Sequence, residues 1–445
     1  MDSAWLGQTR TYNLAVKRRH LFTLALLLFS SRLLVAQGPG KDTPALPNPT
    51  GPYGVGRVSF SLTDSARTET LSEVTGSKRR FMAHVWYPAD PKGTSGRPLA
   101  PAPYLPGFDV VLPKLSASDI KGLFRPATYT GPSSLPITSV YEGAPFVAGS
   151  QKFRLLVFSH GWGNPTFLYT AELEDIASHG YVIMAVDHPY DTAFTLFPDG
   201  TFTLFGQKSF DQAAAKPKGL NAYARDRVEV MAQDNRFAIS AILQPESGKD
   251  KYPFSGRIDT SKIGAFGHSI GGLASARTCQ IDPRVLACMD QDSVDYRGSP
   301  FAVSDLQQTV TQPFFLFVVA SADIWSSKMV NPTDAELVPQ KLSRVEYGKV
   351  IRGEQENQDM QLASIPGGAY RLMLFNVPDY IHRSFTDQTL LAITIDHTQA
   401  VHNFTVAQRY TLSFFDKFLK GKAQATLDTG ESVDPKAILE VFPAH

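Results

Sequence analysis

From residue 56 onward, apolar stretches of strand length recur along the chain. Arg57 to Leu62 and Phe81 to Tyr87 alternate between apolar and polar positions, the period of a half-exposed antiparallel edge. Leu155 to Phe158, Tyr181 to Val186, Ile263 to Phe266, Val285 to Met289 and Phe314 to Val319 are nearly continuous apolar runs, and Arg371 to Phe375 is a weaker one. Continuous runs suit strands covered on both faces, as in a parallel sheet. Helical spacing appears between them at Leu168 to Ser178, Asp226 to Leu243 and Ile270 to Thr278, and a long amphipathic stretch, Thr405 to Leu419, follows. Alternating strands and helices predict an α/β fold. Its sheet is mostly parallel, with about eight strands and helices on both faces.

Three stretches break the pattern: 91–150, rich in Pro and Gly, 189–225, with aromatics and Gly, and the polar 326–370. In α/β enzymes such insertions often roof the site. Residues 1–36 read as an export signal, because Lys17-Arg18-Arg19 precedes the apolar run Leu21 to Phe29 and small residues follow, ending at Ala36. The run is short for a bilayer span, which favours a cleaved signal over an uncleaved anchor. Residues 37–55 read as a flexible Pro/Gly linker, 56–420 as the catalytic domain and 421–445 as a C-terminal tail.

Of the 445 residues, 43% are hydrophobic and 19% charged, enough for a large core, and the formal net charge of +1 leaves no basic stripe for nucleic acid. The chain has two cysteines, Cys279 and Cys288, and in an exported protein these could bridge or stay as buried thiols.

One junction concentrates the chemistry. Ile263-Gly264-Ala265-Phe266 runs into Gly267-His268-Ser269-Ile270-Gly271-Gly272. Glycine weakens strands and helices alike. Three of them around a serine therefore imply a turn too tight for side chains, which presents one hydroxyl above the sheet. The helix beginning at Ile270 directs its first N–H groups at that position. Ser269 is the predicted nucleophile.

A serine nucleophile needs a base and an orienting acid. Among ten histidines, His382 lies on a loop beyond the last predicted strand, where α/β sheets place reactive groups, and His402 is the second choice. His160 and His188 end strands and should line the floor or mouth of the pocket. His268, inside the elbow, should point away from the serine. For the acid, Asp290 ends one strand and Asp323 follows the next. Position alone leaves both open, with Asp292 a weaker third. The oxyanion hole is expected from the backbone N–H groups of Ile270 and of Trp162, which lies between glycines in Ser159-His160-Gly161-Trp162-Gly163.

The runs LLVFSHGWGNPTFLYTAELEDIASHGYVIMAVDHPYDT, IGAFGHSIGG, ACMDQDS and IHRSFTD, with RRFMAHVWYPAD near the start, resemble the secreted platelet-activating factor acetylhydrolase family. The resemblance spans scattered blocks between about residues 56 and 420. It implies the α/β-hydrolase fold and a serine esterase with no metal or organic cofactor, acting on short or oxidised acyl chains of phospholipids. It also implies Ser269, Asp290 and His382 as the triad, with Trp162 and Ile270 amides at the oxyanion. The chain departs from the family at Gln291, where an aromatic-containing stretch is usual, in the long 326–370 segment, and in lacking recognisable lipid-surface helices.

The expected function is therefore ester hydrolysis through an acyl-enzyme, on a small-molecule or lipid ester. A cutinase-like polyester hydrolase, a lipase and a serine peptidase on the same fold are alternatives, as is an inactive binding protein of this fold. Trp162, Phe194, Phe197 and Phe205 are expected to narrow the pocket mouth. The sequence leaves the acyl length, the alcohol and the oligomeric state undetermined.

Overall fold

A computed structural model describes residues 45–90, 99–125, 129–216, 219–244, 252–293, 310–319, 343–374, 376–392 and 394–445. The expected export signal and Asp323 lie outside these residues. The strands are β1 Gly54–Thr68, β2 Lys78–Ala89, β3 Val140–Glu142, β4 Phe153–Ser159, β5 Tyr181–Asp187, β6 Phe194–Leu196, β7 Phe202–Leu204, β8 Ile258–His268, β9 Val285–Gln291, β10 Phe314–Val318, β11 Ala369–Met373 and β12 Ile438–Phe442. The helices are α1 Phe108–Val111, α2 Ala117–Phe124, α3 Thr170–Ser178, α4 Gln207–Ala214, α5 Gly219–Leu243, α6 Ile270–Ile281, α7 Arg344–Ala363, α8 Asp387–Leu390, α9 His397–Lys420 and α10 Ala425–Asp428.

Ten strands form one sheet in the order β12-β11-β10-β9-β8-β4-β5-β2-β1-β3, and β6-β7 is a separate hairpin. The core from β5 through β4, β8, β9 and β10 to β11 is parallel. This is the α/β-hydrolase arrangement, and β8 lies inside it between β4 and β9. Alternation along the strands divides the core in two. Leu156, Phe158, Phe266 and Met289 pack under Leu173 and Ile176 of α3 and Tyr410 and Phe414 of α9. Leu155, Val157, Ala265 and Cys288 pack under Ala238 and Ile239 of α5 and Ala276 and Cys279 of α6. Each buried Val, Leu, Ile, Phe or Met among them contributes about 1.5–3 kcal/mol relative to exposure.

All eight predicted strands are present, and four expectations change. β2 is not an edge, since it lies between β1 and β5 and is buried on both faces. Its polar residue is satisfied there, with His84 Nδ1 2.8 Å from Ser59 Oγ and Nε2 3.3 Å from Asp187 Oδ2. Within 326–370, residues 344–363 form a helix started by a capping box between Ser343 and Glu346. The expected tail supplies β12, antiparallel to β11. The end of the expected linker is docked on α3, where Asp175 Oδ1 accepts the Thr50 amide at 2.7 Å and Ser178 O accepts the Tyr53 amide at 3.1 Å.

Cys279 and Cys288 form a disulfide with Cα atoms 6.4 Å apart. It ties α6, which starts just after the serine, to β9, which carries Asp290 and leads into Asp292. In the chain-entropy model a ring this short adds roughly 2–3 kcal/mol.

Candidate active site

Ser269 stands between β8 and α6 with φ 57° and ψ −127°, and it is one of four non-glycine residues with positive φ among those described. Such a conformation costs about 1–3 kcal/mol and persists only where its surroundings enforce it. Here they do. A Cβ on Gly267 would collide with the Gly271 carbonyl, and one on Gly271 would collide with the Ser159 carbonyl. The Ser269 amide is held by Gln291 O at 2.9 Å. Ile270 is the first residue of α6, so its N–H belongs to the turn that has no intrahelical acceptor.

His382 opens a short 3₁₀ turn, His382–Phe385, after β11. Its Nδ1 lies 2.7 Å from Asp292 Oδ2, with the ring half exposed and the carboxylate buried. The other Asp292 oxygen accepts the Val319 amide at 2.8 Å. Asp292 is thus fixed at both oxygens, and an anion held there keeps the proton on His382 Nδ1 and leaves Nε2 free to act as a base.

Asp290, the acid implied by the family resemblance, does not meet His382. Cys288 and Asp290 share the face of β9 turned to α6, where Cys288 is bridged to Cys279 and the Asp290 carboxylate fills the space left by Gly272. Its partners are the amide of Ser293, at 3.0 Å, and the Ser293 hydroxyl. Burial pushes this carboxyl up to about 7, against those two donors and with some help from the Asp292 charge. Asp292 escapes the alternation because β9 ends at Gln291 and the chain turns at Asp292 with φ 60°. The local spacing of apolar residues gives no sign of that turn.

The sequence reading also missed a relay joining the three parts of the site. Gly161 N–H donates to Tyr169 Oη at 2.9 Å, and Tyr169 Oη lies 2.9 Å from His268 Nδ1. His268 Nε2 lies 2.9 Å from the His382 carbonyl, which can only accept, so Nε2 carries the proton and Nδ1 accepts from the tyrosine. Burial, then the neighbouring His382, holds His268 well below the usual imidazole range. His268 braces the loop that bears His382.

The other histidines weighed from the sequence, His160, His188 and His402, have partners of their own. His160 Nδ1 donates to Gly161 O at 2.9 Å while Nε2 accepts the His188 amide at 3.0 Å, and burial with the nearby His188 lowers it to about 4. His188 is buried between Asp234 Oδ2, at 2.9 Å, and Ser159 Oγ, at 3.2 Å. Both are fully buried. His402, the second choice of base, pairs at 2.6 Å with Asp434, which precedes β12.

Trp162 sits in a turn whose neighbouring amides are all engaged: Gly161 with Tyr169, Gly163 with Asp191 O at 2.8 Å, and Asn164 with Gly161 O at 3.1 Å. Its ring meets Phe210 edge-on at 5.3 Å and Tyr223 at 5.8 Å, and Phe205 packs on Phe210. Of the other expected mouth aromatics, Phe194 packs on Phe108 and Phe197 lies under Arg80. The insertions do reach the site's surroundings. Tyr104 Oη donates to Asp387 at 2.9 Å and Gln388 Nε2 to Leu123 O at 2.6 Å, so 99–125 is fastened to the segment just after His382.

Glu172 lies behind that segment. It accepts Gln291 Nε2 at 2.6 Å, and its Oε2 and Gln408 Oε1 are buried acceptors without a donor around a cavity of about 10 Å³, room for about one water. Burial lifts this carboxyl to about 8, although Gln291 and Gln408 pull it down. The folded protein therefore keeps a proton on Glu172 that the unfolded chain releases near pH 4.5. Stability from this group is intact below that pH and is lost as pH rises toward 8. Glu172→Gln, which supplies the missing donor without a charge, is expected to be more stable than the parent at pH 9 by on the order of 2 kcal/mol and indistinguishable at pH 4.5. Scanning calorimetry at both pH values checks this, and a variant less stable at pH 9 would contradict a protonated Glu172.

Among the described residues, no group of three or more His, Cys, Asp or Glu side chains could hold a metal ion. Nor is any described helix long and apolar enough to cross a membrane.

Comparison with known proteins follows the same outline. The family model for platelet-activating factor acetylhydrolase, isoform II, matches residues 40–395. A probable 1-alkyl-2-acetylglycerophosphocholine esterase of Arthroderma benhamiae is 25% identical over 58% of this chain and 62% of its own length. The platelet-activating factor acetylhydrolase of Canis lupus familiaris is 30% identical over 30% of this chain and 33% of its length, and that of Gallus gallus 25% over 68% and 72%. The match thus spans less than two thirds of the first two relatives. A solved ferulic acid esterase from Streptomyces cinnamoneus superposes with a TM-score of 0.61 at 22% identity, covering 89% of this chain and 99% of the other, which supports the fold.

Proposed function

We propose, because this chain belongs to the platelet-activating factor acetylhydrolase, isoform II, family, that it is a serine carboxylic-ester hydrolase acting on short-chain acyl esters. The observation that carries the reading is the His382–Asp292 pair, 2.7 Å apart, on the loops after β11 and β9, at the same end of the parallel strands as the strained elbow of Ser269 after β8. Ser269 Oγ attacks the ester carbonyl while His382 Nε2 takes its proton. Asp292 holds the imidazole and stabilises its charged form. The amides of Trp162 and Ile270 bind the oxyanion. His382 then protonates the leaving alcohol, and water, activated by the same base, releases the acid.

The names of the relatives favour acetyl esters of phospholipids, and the structural neighbour, a ferulic acid esterase, makes aromatic acyl esters a second class to assay. Trp162, Phe210 and Tyr223 form an aromatic wall in the region of the oxyanion turn and support a confined acyl site. A cutinase-like polyester hydrolase or a lipase is the second reading, and a longer, open groove would favour it. The basic and then apolar N-terminus supports export.

Hydrolysis of p-nitrophenyl esters from acetyl to palmitoyl, together with a short-acyl phosphatidylcholine, tests this reading. The expected maximum in kcat/KM lies at about two to eight carbons, because each methylene a pocket fits or rejects contributes about 1–3 kcal/mol. Trp162→Ala should move that maximum to longer chains. A parent enzyme faster on palmitoyl than on butyryl esters would overturn the short-chain reading.

A further inference from the structure

The ion pair Asp191–Arg227 lies outside the triad. Asp191 is fully buried in the loop after β5, and Arg227 is 2% exposed on α5. Buried charges of this kind are rare unless they are paired and given further hydrogen bonds, because desolvation offsets their attraction. The pairing here is bidentate, with Arg227 Nε 2.9 Å from Asp191 Oδ1 and Nη2 2.6 Å from Oδ2. The Asp191 amide donates to His188 O at 3.0 Å, and two further contacts of Asp191 go to the turn around Trp162. Its Oδ1 accepts Trp162 Nε1 at 3.1 Å, and its backbone carbonyl accepts the Gly163 amide at 2.8 Å.

We infer that Asp191, locked by Arg227, is a positioning residue for the oxyanion turn, holding Trp162 by its indole on one side and by the next peptide on the other. This rests on the proposed role of the Trp162 amide. The direction of that amide depends on the orientation of the peptide between Gly161 and Trp162. The carbonyl of that peptide, Gly161 O, accepts from His160 Nδ1 at 2.9 Å and from the Asn164 amide at 3.1 Å, and Tyr169 holds the preceding peptide through the Gly161 amide. Asp191 fixes it on the C-terminal side. Arg227 makes the second anchor rigid and refers it to the nucleophile, because its neighbour Val228 and Met231 pack with Ile270, Leu273 and Ala274 of α6, against which the Trp162 ring also lies. The two proposed oxyanion amides, one on the turn and one at the start of α6, are in this way joined through α5 rather than only through the sheet. A donor misplaced by about 1 Å can reduce the rate by about 10²-fold.

The test is the double variant Asp191→Asn, Arg227→Met, which removes both charges together, so no unpaired ion is buried, and leaves an amide oxygen for the indole. Folding is checked by circular dichroism and thermal melting. The expected result is kcat about 10–100-fold lower with KM nearly unchanged, since the contact matters once the oxyanion forms. A fluorophosphonate, whose phosphoryl oxygen takes the oxyanion position, should label Ser269 of the folded variant more slowly by a similar factor. A folded variant with parental kcat and labelling rate overturns the inference. If the double variant does not fold, Trp162→Phe decides, because it removes the indole N–H while keeping an aromatic ring beside Phe210 and Tyr223: a kcat several-fold lower with unchanged KM and an unchanged acyl-length maximum supports the clamp, and an unchanged kcat overturns it. Failure of the esterase reading looks different, because the parent protein itself would then not be labelled at Ser269.

Discussion

Ser269→Ala is expected to lower kcat on short-chain esters by about 10⁵–10⁶-fold, leaving the residual rate that an oxyanion hole and substrate binding provide without a nucleophile. The variant should also lose fluorophosphonate labelling. Its stability should match the parent's, because alanine inherits the same backbone, φ 57° and ψ −127°, and the same Gln291 contact to its amide. Ser269→Gly separates strain from chemistry. Glycine adopts positive φ without a Cβ clash, so it should be equally inactive yet more stable than Ser269→Ala, by about 1 kcal/mol. Turnover by Ser269→Ala near the parental rate would remove the nucleophile from the mechanism.

The elbow was legible because its cause is local. The glycines that make room for the turn lie within three residues of Ser269, and the apolar run before them marks the strand. His382 was legible for a related reason, as the histidine just beyond the last predicted strand. The contacts that hold these groups were not legible, because their partners are far apart in sequence: Tyr169 and His268 are 99 positions apart, His268 and His382 114, and Trp162 and Asp191 29. A composition window cannot join such residues; the sheet order does. Among the elements the sequence did not reveal, two were missed for opposite reasons. β12 is short and partly exposed, so it lacks the continuous apolar signature of the inner strands. The helix at 344–363 is too polar to show a periodic face, yet Ser343 followed by Glu346 was a start signal already present in the sequence.

The choice of acid turns on the ending of one strand, and it gives the second large effect. Asp292→Asn is expected to lower kcat by about 10⁴-fold with little change in KM. The asparagine oxygen can still accept the Val319 amide, which now leaves an NH₂ facing His382 Nδ1. That NH₂ can only donate, so it selects the tautomer with the proton on Nε2, where the imidazole cannot take the serine proton. Asp290→Asn should behave otherwise. Its oxygen can still accept the Ser293 amide, the Ser293 hydroxyl can rotate to accept from the new NH₂, and a carboxyl that burial already pushes up to about 7 loses little by becoming neutral. A loss of no more than about tenfold is expected, the size of an indirect packing effect rather than of a lost tautomer. Measuring kcat and KM for both variants on one acetyl ester decides between them. If Asp290→Asn proved the more damaging, the family-implied acid would stand and the 2.7 Å contact of Asp292 would be structural; comparable losses of about 10⁴-fold would mean that the two carboxylates act as one unit.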